Sequence, residues 1–303
     1  MKYVKVGILG SGFGLYGYLP AFASLGASVS ILSHYRDKVA ARKELGKYLS
    51  NISFMEDEKQ IFESCNALVV ARRPTDQFKI INTICSYDNI QAVYLEKPIA
   101  PNPAQGLIVH DILALSNKAM HIGYIFLYMD LFSLLTESSV SNFSGRLYFT
   151  WHFQAHHFIK DLDVWKRKDS WGGGAIRFYG IQLIATLAGF STIDIVTSTG
   201  KQLSPDETYA WRAHFLLGNR IDFYVDINSK ASLDVFYFGT KDGRIASQSL
   251  SPFVRTADND DSRVDLLKHL ILDPTPSSER HKMYGKILDL WDRIEKCTTF
   301  EDA

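Results

Sequence analysis

The sequence predicts a two-part chain: an α/β domain built on a parallel sheet, then an α+β domain with a mostly antiparallel open sheet. Three observations carry this expectation. Short apolar runs alternate with longer amphipathic stretches as far as residue 122. The first run ends in a glycine-rich turn, GSGFG (10–14). From Gly145 onward, strand patterns follow one another with few helices between them. The domains expected are 1–122 and 123–303, joined within 123–145.

In the first part, YVKVGIL (3–9) reads as a buried strand, followed by strands at GASVSILS (26–33), ALVVA (67–71), QAVYL (91–95) and AMHIGY (119–124). Between them, 37–49, 75–87 and 103–118 have helical amphipathicity. Strands alternating with helices argue for βαβ units and a parallel sheet. In such a sheet, ligands sit outside the carboxyl ends of the strands. Gly10 and Gly12 permit a tight turn and close approach of a pyrophosphate to backbone N–H groups, and Phe13 and Gly14 lead into a helix whose N-terminus favours negative charge. Leu15 stands where the simple fingerprint has its third glycine, so the motif gains its weight from its place directly after a strand. The second strand ends at Ser33-His34-Tyr35-Arg36, without a carboxylate until Asp37. A hydroxyl with cationic neighbours suits a 2′-phosphate better than a 2′-hydroxyl, so NADP(H) is favoured over NAD(H).

In the second part, RLYFTWHFQAH (146–156) alternates strictly, with Leu147, Phe149, Trp151 and Phe153 on one face and His152 and His156 on the other. Strand patterns follow at 193–199, 209–217, 220–228 and 231–240, and KDG (241–243) reads as a turn before RIASQSL. One helix is expected from about Gly174 to Ala188, and another over 283–296.

Composition narrows the function classes. Thirty-three basic and 33 acidic residues balance, which gives no electrostatic case for nucleic acid as the main partner. No window offers about 18 unbroken apolar residues for a membrane span. The three cysteines share no metal-type spacing, and the opening MKYVKVGILGSG has no signal-peptide core. Both fit a cytoplasmic protein with reduced thiols.

GSGFGLYGYLPAF, ARRPTDQ (71–77), LEKPIA (95–100), GY (123–124), VWKRKDSWGGGA (164–175) and FGTKDGRI (238–245) occur in this order. Together they resemble the glucose–fructose oxidoreductase / inositol dehydrogenase (Gfo/Idh/MocA) family over nearly the whole chain. The resemblance implies a Rossmann-type dinucleotide domain, hydride transfer on a small carbohydrate-like substrate, and a homo-oligomer, a dimer for instance, paired through the open sheet. It implies that Lys97 lies by the nicotinamide and the substrate oxygen, with Glu96 as its partner. It also implies that Arg72, Arg73, Pro74 and Gln77 lie along the cofactor, that Trp165 lies near the nicotinamide, and that Lys166, Phe178 and Gln182 face the substrate; Tyr124 and Tyr179 are further candidate proton donors to the substrate. A cation at Lys97 stabilises negative charge that develops on a substrate oxygen.

The family commonly places an aspartate and a histidine where this chain has Phe178 and Gln182, and neither replacement titrates near neutral pH. Three readings follow: an oxidoreductase with a rearranged proton relay, for which His152 and His156 are the substitutes; a reductase of a conjugated or imine substrate, like a biliverdin reductase; or an inactive dinucleotide- or sugar-binding regulator. A metal is not expected, because His157 points away from its neighbours on a strand.

Overall fold

A computed structural model describes residues 5–133, 135–136, 143–218, 220–241, 246–247 and 261–302. The chain forms two compact units, and each is a layered structure in its own right.

The first unit holds residues 5–99 and 107–125 and takes back 261–282. Its sheet comprises β1 (Lys5–Leu9), β2 (Ser28–Leu32), β3 (Ile52–Met55), β4 (Ala67–Val70), β5 (Ala92–Leu95) and β6 (Ala119–Ile122). All pairings are parallel, in the order β3-β2-β1-β4-β5-β6. Every residue of β4 and β5 is buried, as continuous apolar runs in a sheet covered on both faces require. Strand order reverses between β1 and β4, and this leaves a crevice at their carboxyl ends. β3 escaped the sequence pattern because it is only partly buried and lacks a continuous apolar run. The helix expected over 37–49 is split: Arg42 takes an extended backbone between helices Arg36–Ala40 and Lys43–Gly46. Helix Pro74–Cys85 starts on its proline, whose fixed φ and missing N–H suit the first helical position. Helix Arg263–Leu272 buries Val264, Leu267, Leu270 and Ile271 and packs on helix Leu19–Ser24. A single boundary at residue 122 does not capture this return of the chain.

The second unit centres on a seven-stranded sheet made of β7 (Gly145–Gln154), β8 (Ile193–Ser204), β9 (Glu207–Leu217), β10 (Ile221–Asn228), β11 (Lys230–Gly239), β12 (Ala246–Ser247) and β13 (Thr299–Asp302). Its order is β12-β11-β7-β10-β9-β8-β13. The sheet is mostly antiparallel as expected, with parallel contacts at β7–β10 and β8–β13 that local patterning cannot reveal. Strict alternation in β10 buries Phe223, Val225 and Ile227 and turns Asp222, Tyr224 and Asp226 outward. Phe149, Trp211, Phe215, Phe238 and Trp291 complete the core on the inner face. The expected helix after the glycines is a π-helical stretch, Ala175–Gly180, running into Ile181–Leu187, where every residue is buried. Most of the expected KDG turn and of the strand after it lies outside the described residues. Among the described residues, no helix is long and apolar enough to cross a membrane.

Candidate functional site

In the first unit the carboxyl end of β1 turns at Gly10, whose φ of +126° belongs to glycine. A Cβ there would lie 2.2 Å from the Ala71 carbonyl oxygen, so the close passage of loop against β4 requires hydrogen at this position. A Cβ on Gly12 would meet nothing within 4 Å, so the space above the loop is open. The Gly12 carbonyl accepts from the N–H groups of Leu15 and Tyr16 and winds the chain into the helical stretch from Gly14. A glycine loop after β1 with open space over it fits the diphosphate of a dinucleotide. Phe13 does not point into that space alone; its ring packs edge-on against Tyr16 and Tyr18.

At the end of β2, Ser33 is followed by the exposed His34 and Arg36. The Arg36 guanidinium stacks 3.9 Å over the Phe54 ring, and the His34 ring meets Tyr35 edge-on. An acid missed from the sequence also lies here: Ser33 Oγ donates to Glu56 Oε2 at 3.3 Å. Glu56 follows β3, so only the sheet pairing brings it beside β2. Of the two arginines after β4, Arg72 is engaged by Glu58 in a two-point pair and Arg73 is exposed at the start of the helix that opens with Pro74.

Gln77 has a different role from the one expected of it. Its side chain is fully buried, and its Nε2 donates to the carbonyls of Glu96 (2.9 Å) and Pro98 (3.0 Å) while its Oε1 accepts from the Glu96 N–H (2.9 Å). It clamps the backbone on both sides of Lys97, whose bond to Pro98 is cis. A side chain spent on three main-chain bonds orients Lys97 rather than contacting a cofactor.

Glu96 is strongly perturbed by its burial at this edge of the sheet. Burial raises its pKa from 4.5 to about 7, against the pull of Lys97, a hydrogen bond from Tyr18, and Arg263. A Cβ on Gly123 would lie 2.7 Å from Glu96 Oε1 and 2.9 Å from the Tyr18 hydroxyl, so that glycine makes room for the carboxyl and the phenol together. Tyr124, the next residue, is fully buried.

In the second unit, Trp165, Lys166, Phe178 and Tyr179 lie together. Trp165 and Phe178 meet edge-on at 5.2 Å, and Lys166 Nζ lies 5.3 Å from the Phe178 centroid. Tyr179 packs on Phe178, Phe153 and Trp151, and burial raises its pKa. Gln182 is buried, with its Oε1 accepting from the Phe126 N–H at 3.3 Å. Arg177 is held by Glu295 through two bonds of 2.7 Å and donates to the carbonyls of Pro101 and Asp169.

The two histidines expected to replace the relay do not join this cluster. His152 lies on the face of β7 opposite Trp151, with its Nε2 3.1 Å from Asp226 Oδ1 but not aligned for a hydrogen bond. β7 ends at Gln154, so His156 is exposed in a helical turn rather than on the strand. The same turn buries His157, which sequence alternation had sent to the opposite face; burial, then Lys166 and Arg167, lower its pKa to about 4. Among the described residues, no three His, Cys, Asp or Glu side chains are grouped to hold a metal.

No protein-family profile matches the chain, and no curated protein matches its sequence. Solved structures do. The chain is similar to KijD10, a 3-ketoreductase from Actinomadura kijaniata in complex with NADP and TDP-benzene, at 14% identity and TM-score 0.70 over 99% of each chain. It is similar to GenD2 from gentamicin A biosynthesis in complex with NAD, at 13% identity and TM-score 0.72, covering 98% of this chain and 94% of that one. It is also similar to biliverdin reductase from Synechocystis sp. PCC 6803 in complex with biliverdin and NADP+, at 12% identity and TM-score 0.66, covering 97% and 99%. The shared property at these identities is the fold. It is a Rossmann-type domain followed by a mostly antiparallel α+β domain.

Proposed function

We propose that the chain is a nicotinamide-dinucleotide-dependent oxidoreductase that moves a hydride to or from a small carbohydrate-like substrate such as a sugar, a sugar nucleotide or an inositol. The observation that carries this reading is the clamped Glu96–Lys97 pair at the carboxyl end of β5, on the same sheet edge where β1 delivers the glycine loop. When bound, the nicotinamide gives or takes the hydride. Lys97 donates a hydrogen bond to the substrate oxygen as charge grows on it. Glu96 titrates near neutral pH and takes up or returns the proton, the duty that Phe178 and Gln182 are unable to perform. Its burial beside a lysine is the kind of environment that tunes catalytic acids.

For the cofactor, Ser33, His34 and Arg36 support NADP(H), whereas the Glu56 carboxylate on Ser33 supports NAD(H). We favour NADP(H), with Glu56 turned from the 2′-phosphate. The test is titration of both reduced dinucleotides by fluorescence, then a screen of sugars and sugar nucleotides with Lys97→Ala as control. Turnover that Lys97→Ala lowers by two orders of magnitude or more supports the reading. Firm dinucleotide binding without turnover of any substrate supports an inactive regulator instead, and no binding of either dinucleotide sinks the enzyme.

A second reading rests on the aromatic cluster of Trp165, Phe178 and Tyr179, which offers flat apolar surface where the family pattern has an acid. A conjugated substrate that draws its proton from water suits such a surface, and biliverdin belongs in the same screen. We also propose that the outer face of the second sheet pairs two copies of the chain. Tyr148, Tyr224 and His214 stack on that face with nearly parallel rings. Light scattering on the purified protein distinguishes a dimer from a monomer. Three cysteines without disulfides suit the cytoplasm.

A further inference from the structure

The segment from Gly10 to Ser24 that carries the glycine loop contains no lysine or arginine. A cation nevertheless stands against it, delivered from the far end of the sequence. The Arg263 guanidinium lies 4.1 Å over the ring of Phe13, the residue between Gly12 and Gly14. It is placed there because helix Arg263–Leu272 packs on the helical segment that follows the loop. Asp261 fixes its orientation, accepting from Nε at 2.8 Å and from Nη2 at 2.6 Å. Its charge is felt by Tyr16 and by Glu96. The Arg263 side chain keeps 21% of its surface exposed and Phe13 is only half-buried, so the pair reaches the surface beside Gly12, where an added Cβ would meet nothing within 4 Å.

A local Asp–Arg pair two residues apart is by itself an ordinary way to begin a helix. Two features take Arg263 further. Its planar fork is held face-on to the loop by an aromatic ring, and two-point pairing with a carboxylate is the geometry with which arginine also grips phosphate. A loop that offers backbone N–H groups alone leaves part of a diphosphate's charge uncompensated, and a guanidinium at this distance supplies the remainder.

We propose that Arg263 is a cationic side chain of the dinucleotide site, facing the diphosphate over the glycine loop, with Asp261 as a placeholder that keeps the fork oriented until the diphosphate takes over the pairing. The C-terminal return of the chain thus completes a site that the first 25 residues only begin. This rests on the dinucleotide reading above.

The test is fluorescence titration of NADPH and NADH into the full chain at low and at 0.3 M salt, using wild type, Arg263→Gln, Arg263→Lys and Asp261→Asn. Displacement by adenosine 2′-monophosphate, which lacks the diphosphate, serves as reference. Arg263→Gln should raise Kd at least tenfold for both dinucleotides and less at high salt, with the reference ligand unchanged. Arg263→Lys should recover little of the loss, because a point charge lacks the fork. Asp261→Asn, which keeps the cation and removes its competitor, should bind as tightly as wild type or more so. Dinucleotide constants within twofold of wild type in Arg263→Gln overturn the proposal. So does a tenfold loss in Asp261→Asn, or an equal loss for the reference ligand, since either marks a merely structural pair. Should Arg263→Gln fail to fold, the lysine and asparagine variants decide. A wild-type chain that binds neither dinucleotide fails before any variant is made, and that outcome sinks the underlying reading together with this one.

Discussion

Glu96→Gln isolates the electrostatics of the candidate site. In the folded chain the carboxyl titrates at about 7 instead of 4.5, chiefly because burial disfavours the ionised form. A group whose folded pKa is raised stabilises the fold fully below its unfolded pKa, and that contribution is lost as pH rises through the folded value. The window here is therefore pH 4.5 to 7, and above it ionised Glu96 costs the fold up to about 3 kcal/mol. Glutamine is uncharged throughout, and its amide oxygen still accepts from the Tyr18 hydroxyl. The melting temperature of Glu96→Gln should therefore gain on wild type from about pH 4.5 to about pH 7 and level off beyond about pH 8. At roughly 2–4 °C per kcal/mol for a unit of this size, the gap should change by several degrees. Calorimetry at matched ionic strength reads it directly. A constant offset between the two proteins shifts no conclusion, since any lost hydrogen bond is independent of pH. A gap that stays flat from pH 5 to 8.5, or one that turns against Glu96→Gln at high pH, would refute the argument that burial outweighs Lys97 and Arg263 at this carboxyl.

Two substitutions extend the reasoning. Gln77→Leu leaves two carbonyls and one N–H of the Glu96–Pro98 backbone without their partner; it should cost about 2–4 kcal/mol and lower kcat while changing the dinucleotide Kd less than threefold, as paired denaturation and kinetic measurements would register. Glu56→Gln removes the carboxylate that accepts from Ser33; fluorescence titration should find the NADPH-to-NADH preference raised several-fold, with NADH affinity equal or weaker, and an unchanged ratio would place Glu56 away from the ribose.

The fold was legible because it rests on local signals. Continuous apolar runs marked β4 and β5, alternation marked β7 and β10, and glycine with positive φ marked the turn at Gly10. What remained hidden depends on pairing distant segments. Glu56 becomes a neighbour of Ser33 only when β3 pairs with β2, and Arg263 reaches Phe13 only because the chain returns to the first unit after residue 260. His152 and His156 misled for a related reason. Alternation gave them one face, but the strand stops at Gln154, and the helical turn that follows exchanges which of the neighbouring histidines is buried. Gln77 was read as a cofactor neighbour, but it faces the backbone nineteen residues on, a difference that composition does not reveal.

Phe178 and Gln182 take on meaning against this background. Phe178 is packed by Trp165 and Tyr179, and Gln182 is occupied by the Phe126 N–H within a fully buried helix. Neither position retains a group that titrates, and their neighbours do not restore one: burial pushes Tyr179 up and His157 down, so both stay neutral at pH 7. In the first unit the opposite has happened. Glu96 is buried enough to share its proton near neutrality, lies against Tyr18 through the gap left by Gly123, and is joined by peptide bond to a lysine whose backbone Gln77 holds on both sides. Among the described residues, burial therefore brings two carboxyls towards neutral pH, Glu96 at the end of β5 (about 7) and Asp169 in the second unit (about 6). If the chain reduces or oxidises a carbon–oxygen bond, its pH profile should follow one ionisation near 7 that disappears in Glu96→Gln and persists in His152→Ala.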